Sequence, residues 1–289
     1  IKQNLPNLSK LDNLQLQKIM KSMGPNYYWP INNGKSSKHG VLIMAHGYGS
    51  DGDLDLFNSL KNFNPNYEII LTMGMSMMTS KHVICSVQRL MNSGIESIYI
   101  VPISSTPYNT LVRQWRYIFN LEKNYSYADV DVLASNTFKY IEPISDDAIA
   151  KEIILEYANE ISTNQENEVV IIIAHGPVSQ ADNVQELLIM NNIADYISNN
   201  SNFSEVRSFT LQDDAGKAIR DNNINNIRQY IKNSSMQGKR VLVVSNLMSG
   251  KGIQKNIEKD LNGLNYTFNS NGLLTHPKFK IWIEDSITK

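Results

Sequence analysis

Two short apolar runs, each stopped by Ala-His-Gly, constrain this chain more than any other feature. The first is Gly40-Val-Leu-Ile-Met-Ala-His-Gly-Tyr48 and the second is Glu168-Val-Val-Ile-Ile-Ile-Ala-His-Gly-Pro177. A continuous apolar run of this length reads as a strand buried on both faces of a parallel sheet. Each run therefore sets a histidine at a strand's carboxyl end, the edge where open α/β sheets bind ligands. The following glycine lets the backbone turn there and approach a ligand closely.

His46 and His175 are separated by 129 positions, and the same offset carries Asp147 onto His276. Between them, Gly94-Ile-Glu-Ser-Ile-Tyr-Ile-Val-Pro102 is answered by Gly238-Lys-Arg-Val-Leu-Val-Val-Ser245. Two diverged halves built from β-α-β units account for this pattern. The expected fold is α/β, with two similar doubly wound parallel-sheet halves facing a central cleft. Residues 1–39 form a leader of helix and loop, 40–163 the first half, and 164–289 the second.

Within the first half the pattern predicts a helix over 9–23 capped by Ser9, then strands at 67–72 and 98–102 and helices at 53–63 and 81–92. A further strand is expected at 131–133 and a helix over 146–161. The second half repeats the plan, with strands at 169–174, 205–211 and 240–245. Its helices are expected at 181–199, 218–236, 253–261 and 278–287. The aromatic run Tyr27-Tyr28-Trp29-Pro30 reads as packing for the leader, or as a cap over a cleft.

With 27 basic and 28 acidic side chains the chain carries a net charge of −1, which offers no general field for nucleic acid. One cysteine, Cys85, excludes an internal disulfide and a cysteine-based zinc cluster. No apolar run approaches the ~18 residues of a membrane span. The chain reads as cytoplasmic and as a monomer or homodimer; since it opens on Ile1, a removed export signal is the alternative.

Among five histidines, His46 and His175 have the context of ligands or catalysts, whereas His39 and His82 read as solvated or structural. His276, before Pro277, suits either a cleft or a helix start. Asp213 and Asp214, in Thr210-Leu-Gln-Asp-Asp-Ala-Gly216, either cap the next helix or turn a carboxylate toward His175. Such a carboxylate would help hold a divalent metal or accept a proton.

These motifs, with Gly272-Leu-Leu-Thr-His-Pro-Lys278, resemble the class II tetrapyrrole chelatases, in particular the sirohydrochlorin cobaltochelatases and ferrochelatases in their two-half form. The second Ala-His-Gly-Pro is also similar to the histidine motif of protohaem ferrochelatase. The resemblance covers about residues 40–287 in plan. It implies a lyase that inserts Co²⁺, Fe²⁺ or Ni²⁺ as substrate into a tetrapyrrole, with no organic cofactor. It further implies His175 as metal ligand, His46 as a second ligand and His276 as a further candidate, with Asp213 or Asp214 as base. Arg113, Arg116, Lys251 and Lys255 would meet the macrocycle carboxylates. The family's additional loop histidine has no counterpart here, where Thr110 and Gly252 stand.

Two rivals remain at the level of sequence. One is a metal or tetrapyrrole carrier on the same scaffold, without turnover. The other is an α/β-hydrolase, since Ala45-His-Gly-Tyr-Gly-Ser-Asp-Gly52 resembles an esterase oxyanion loop; its nucleophile would be Ser76 in Met73-Gly-Met-Ser-Met-Met78, with His276 as base.

Overall fold

The computed structural model describes residues 10–22, 27–31, 37–74, 78–250 and 252–288, so Ser9, Ser76 and Lys251 lie outside the described residues. In chain order the first elements are α1 (Asn13–Ser22), β1 (Tyr27–Pro30), β2 (His39–Met44), α2 (Gly49–Ser59) and β3 (Tyr67–Met73). Next come α3 (Lys81–Asn92), β4 (Ser97–Pro102), α4 (Thr110–Ile118), β5 (Phe138–Tyr140) and α5 (Ala148–Ile161). The remainder is β6 (Glu168–Ala174), α6 (Gln180–Asn199), β7 (Glu205–Thr210), α7 (Lys217–Met236), β8 (Arg240–Asn246), α8 (Ile253–Asp260), β9 (Thr267–Phe268) and α9 (Pro277–Thr288).

Two sheets result. The first has the order β1-β3-β2-β4-β5 and the second β7-β6-β8-β9. All pairings are parallel except that of β1 with β3. With β1 set aside the orders are the same, so β2, β3, β4 and β5 correspond to β6, β7, β8 and β9. The apolar runs are the inner strands, as continuous burial requires: Val41 to Ala45 and Val170 to Ile173 are fully inaccessible. Glu168 is the polar exception in β6. Its carboxylate is satisfied by Arg240, Ser162 and Thr163, and although burial opposes the charge these partners hold its pKa down at about 2.

In each sheet the first strand lies between the second and third, so the connections diverge at the carboxyl ends of β2 and β4, and again at β6 and β8. Those are the switch points at which α/β sheets form their ligand crevices. Both Ala-His-Gly turns fall there.

Several elements depart from the sequence pattern. The helix expected at 53–63 begins at Gly49, directly after the turn. The aromatic run is an edge strand, not merely packing, with Trp29 edge-on to Phe57 at 4.9 Å. Pro30 is tolerated because β1 has a neighbour on one side only. Residues 131–133 form no strand; Leu133 donates its amide to Ile118 and packs on the core from a loop, so apolar character there marks packing alone. The sheet's last strand comes later, at β5. For α1 the cap is Asp12, whose carboxylate accepts from the Gln15 amide at 2.7 Å while the Gln15 side chain accepts from Asp12 N–H at 2.9 Å. This reciprocal pair is a capping box.

The chain divides into two compact units, residues 1–144 with 279–289, and residues 145–278. The division falls before α5, which packs on β8 and α6. The last turns of α9 group with the first unit, where Glu284 accepts from the Asn64 amide.

Candidate functional site

The turn after β6 is built by backbone constraint. Gly176 has φ of +77°, and a Cβ there would stand 2.8 Å from Thr210 Cβ and 2.9 Å from Gln212 N. Only glycine fits this combination of left-handed backbone and close approach. Across the gap Gln212, itself at φ of +50°, is 1% exposed and donates to the Pro177 carbonyl at 3.1 Å. Its amide oxygen accepts from Asn223. The two loops are thereby tied together, and Asp213 N–H donates to the His175 carbonyl at 3.3 Å.

His175 presents a usable ring. Nδ1 lies 3.0 Å from the Gly176 carbonyl oxygen. A carbonyl only accepts, so Nδ1 carries a proton, and in the neutral form of the ring this leaves the Nε2 lone pair turned outward. Nε2 faces Asp214 Oδ2 at 3.6 Å, beyond a direct hydrogen bond, with both side chains open to solvent. A lone pair and a carboxylate oxygen at this spacing can share a cation or pass a proton through water. Orientation of a ligating imidazole by a backbone carbonyl is the usual support for such a ring.

The neighbouring acids, undecided in sequence, separate in space. Asp213 Oδ1 accepts from Arg220 Nε at 2.6 Å, and Arg220 Nη2 reaches Asp260 Oδ2 at 2.6 Å. Burial works against the guanidinium charge, yet the bonds to Asp260 and Asp213 outweigh it and raise the Arg220 pKa. Asp213 is thus committed to holding its loop on α7 and α8, and Asp214 is the acid beside the histidine. Neither caps α7 by its side chain; the N-cap is Gly216. Arg220 was not singled out in the sequence, although its place one turn into the helix after the acids is a signal for such a pair.

In the first unit His46 lies edge-on to Tyr48, ring centres 4.5 Å apart. Tyr48 donates its hydroxyl to the Ile103 carbonyl at 3.1 Å, tying the turn after β2 to the loop after β4. Burial, and then the Asp53 carboxylate, push that hydroxyl's pKa up. Asp53, 4% exposed, accepts the Tyr48 amide at 2.6 Å. The loop after β4 is held by Asn109, which caps α4 through the Val112 amide and donates to Ser104 Oγ.

Other expected site residues have other employment. Both ring nitrogens of His276 are engaged: Nε2 faces Glu156 at 2.9 Å, and Nδ1 accepts the Lys278 amide at the start of α9 at 3.2 Å. That arrangement serves the start of α9. Arg116 is paired with Glu142 at 2.6 Å and with Glu122 at 3.4 Å, its guanidinium 5.5 Å from the Tyr140 ring centre. It is not a free cation for a macrocycle. Arg113 is half-buried on α4 and Lys255 exposed on α8. Among the described residues no three His, Cys, Asp or Glu side chains are grouped to hold a metal. No described helix is long and apolar enough to cross a membrane.

No family model and no curated protein matches the chain. Solved structures similar to it include the following two. SirB from Bacillus subtilis with Fe3+ aligns at a TM-score of 0.61 and 16% identity, over 86% of this chain and 94% of SirB. DR2241 from Deinococcus radiodurans, a multi-domain protein with structural similarity to chelatases, aligns at 0.52 and 10% identity, over 86% of this chain. The present chain spans 54% of DR2241. The fold is therefore chelatase-like, two α/β units each with its own sheet.

Proposed function

We propose that this chain is a metallochelatase, taking a divalent metal and a tetrapyrrole as substrates and releasing the metallated macrocycle and two protons. The observation that supports it most is the outward Nε2 of His175 with Asp214 beside it at a sheet switch point. Insertion requires that a metal be held, but by few protein donors, because the macrocycle's nitrogens must replace them. One imidazole and one carboxylate meet that need, and imidazole is a ligand for iron, cobalt and nickel alike. The two pyrrole protons displaced by the metal need an acceptor, and Asp214, exposed to water, can take and release them in turn.

Iron is the metal to test first, since SirB was solved with it; sirohydrochlorin is the macrocycle suggested by the sequence motifs. Arg113 and Lys255 are the candidates for its carboxylates, together with Lys251. The absence of a histidine from the segments Ile103-Ser-Ser-Thr-Pro-Tyr-Asn109 and Leu247-Met-Ser-Gly-Lys-Gly252 favours a second reading, a binder without turnover.

An anaerobic absorbance assay separates them. The chain is mixed with sirohydrochlorin and Fe²⁺, Co²⁺ or Ni²⁺, beside a protein-free control and His175→Ala. Conversion above the control and lost in the variant is the expected result. A spectral shift without conversion indicates the binder, and no interaction with metal or macrocycle rejects both.

A further inference from the structure

The two units treat the same sheet edge differently. In the first, β1 runs antiparallel along β3 at Ile70, Leu71, Thr72 and Met73. Aligning the registers of β2 with β3 and of β6 with β7 on their Ala-His-Gly ends maps these positions onto Arg207, Ser208, Phe209 and Thr210. In the second unit β7 ends its sheet, and a groove of about 520 Å³ lies over Ser208, Phe209 and Thr210, walled by α6 and α7. The filled edge of one half is an open groove in the other.

Backbone direction agrees. Leu211 N–H donates to the Ala174 carbonyl, so by the two-residue period the peptide groups of Ser208 and Thr210 face away from β6. In the first unit Ile31 N–H donates to the carbonyl of Ile69, whose counterpart Val206 has the same outward phase. Among the described residues no strand takes up the outer groups of β7. The groove walls carry Asn183, Asn222 and Asn226 and no charged side chain. Asn183 is 4% exposed, and among the described residues its amide oxygen has no hydrogen-bond partner.

We infer that the outer edge of β7 is a docking site for an extended, uncharged segment of a partner polypeptide, which adds antiparallel as a fifth strand. Strand addition draws its affinity from main-chain hydrogen bonds and its selectivity from the pockets for alternate side chains. β1 shows the kind of segment that fits: four uncharged residues, Tyr-Tyr-Trp-Pro, on the equivalent edge. A charged segment would find no counter-ion on the groove walls.

The test uses the whole chain with a pool of acetylated, amidated, uncharged pentapeptides that includes Tyr-Tyr-Trp-Pro-Ile, followed by amide hydrogen exchange. At a concentration about ten times the dissociation constant, exchange at Ser208 and Thr210 is expected to slow about tenfold. Asn222→Trp and Asn226→Trp, which fill the groove from exposed positions of α7, should each abolish that protection without changing the circular dichroism or chelatase rate. The inference is overturned if no peptide in the pool protects these amides, or if protection survives in whichever variant folds. It is equally overturned if peptide-free chain protects them in step with dimer formation in the ultracentrifuge, since the occupant is then a second copy.

Discussion

His175 and its two acidic neighbours show how far a single side chain's role depends on its partners. Asp213 and Asp214 are chemically identical, yet one is held by Arg220 and the other faces the imidazole. Asp214→Asn should lower the chelatase rate by roughly 10²–10⁴, the range for a lost acid-base group, with an unchanged urea midpoint. Asp213→Asn should do the reverse in the first instance, costing about 2 kcal/mol of stability by leaving Arg220 partly uncompensated. Equal effects of the two substitutions on rate, with neither altering stability, would refute the division of labour. Gly176→Ala forces a Cβ into Thr210 and Gln212 at a left-handed position, and a loss of about 1–3 kcal/mol in denaturant unfolding is expected. His82 supplies a pH dependence. Burial on α3 lowers its pKa to about 4, below the unfolded value near 6.5, so the unfolded chain binds more protons between these limits. Stability should be complete above about pH 6.5 and fall as the pH drops toward 4, by an amount on the order of 3 kcal/mol. A His82→Leu variant should lack that share of the acid sensitivity; an unchanged pH profile of its unfolding midpoint would contradict the assignment.

At the scale of elements, the inner strands were legible because burial on both faces leaves an unbroken apolar run, and α3 because its apolar face recurs at helical spacing. The outer strands β1, β5 and β9 were not, whereas the edge strand β7 was. β5 and β9 are short, and Val130 and Leu133 show that a loop packed on the core can carry as much apolar character as an edge strand. β1 escaped because its pairing with β3 lies about forty residues along the chain, and no local pattern reports a distant partner. Caps are more local, and one bears on the site. Asn109 starts α4 and also braces the loop beside β2's carboxyl end through Ser104. Asn109→Ala should cost about 1 kcal/mol, read as a lowered urea midpoint at constant slope.

Over the whole molecule the two halves share a strand order but differ in the chemistry at the turn. After β6, a backbone carbonyl fixes the ring tautomer and an acid lies opposite; after β2, the ring packs against a tyrosine that ties two loops together. If His175 is the metal ligand, His175→Ala should abolish insertion while His46→Ala retains a measurable fraction; the opposite ranking in the same absorbance assay would move the site to the first unit. The sequence alone determined the repeat, the buried strands and the placing of a histidine at each switch point, because periodicity, composition and glycine turns are written locally. Tertiary structure decided which aspartate faces His175, that His276 and Arg116 are already engaged, and that one sheet edge is filled and its counterpart open. Each of these depends on distances between residues remote along the chain, such as Asp213 with Arg220 and Asp260, or β1 with β3, and those distances exist only once the sheets have formed.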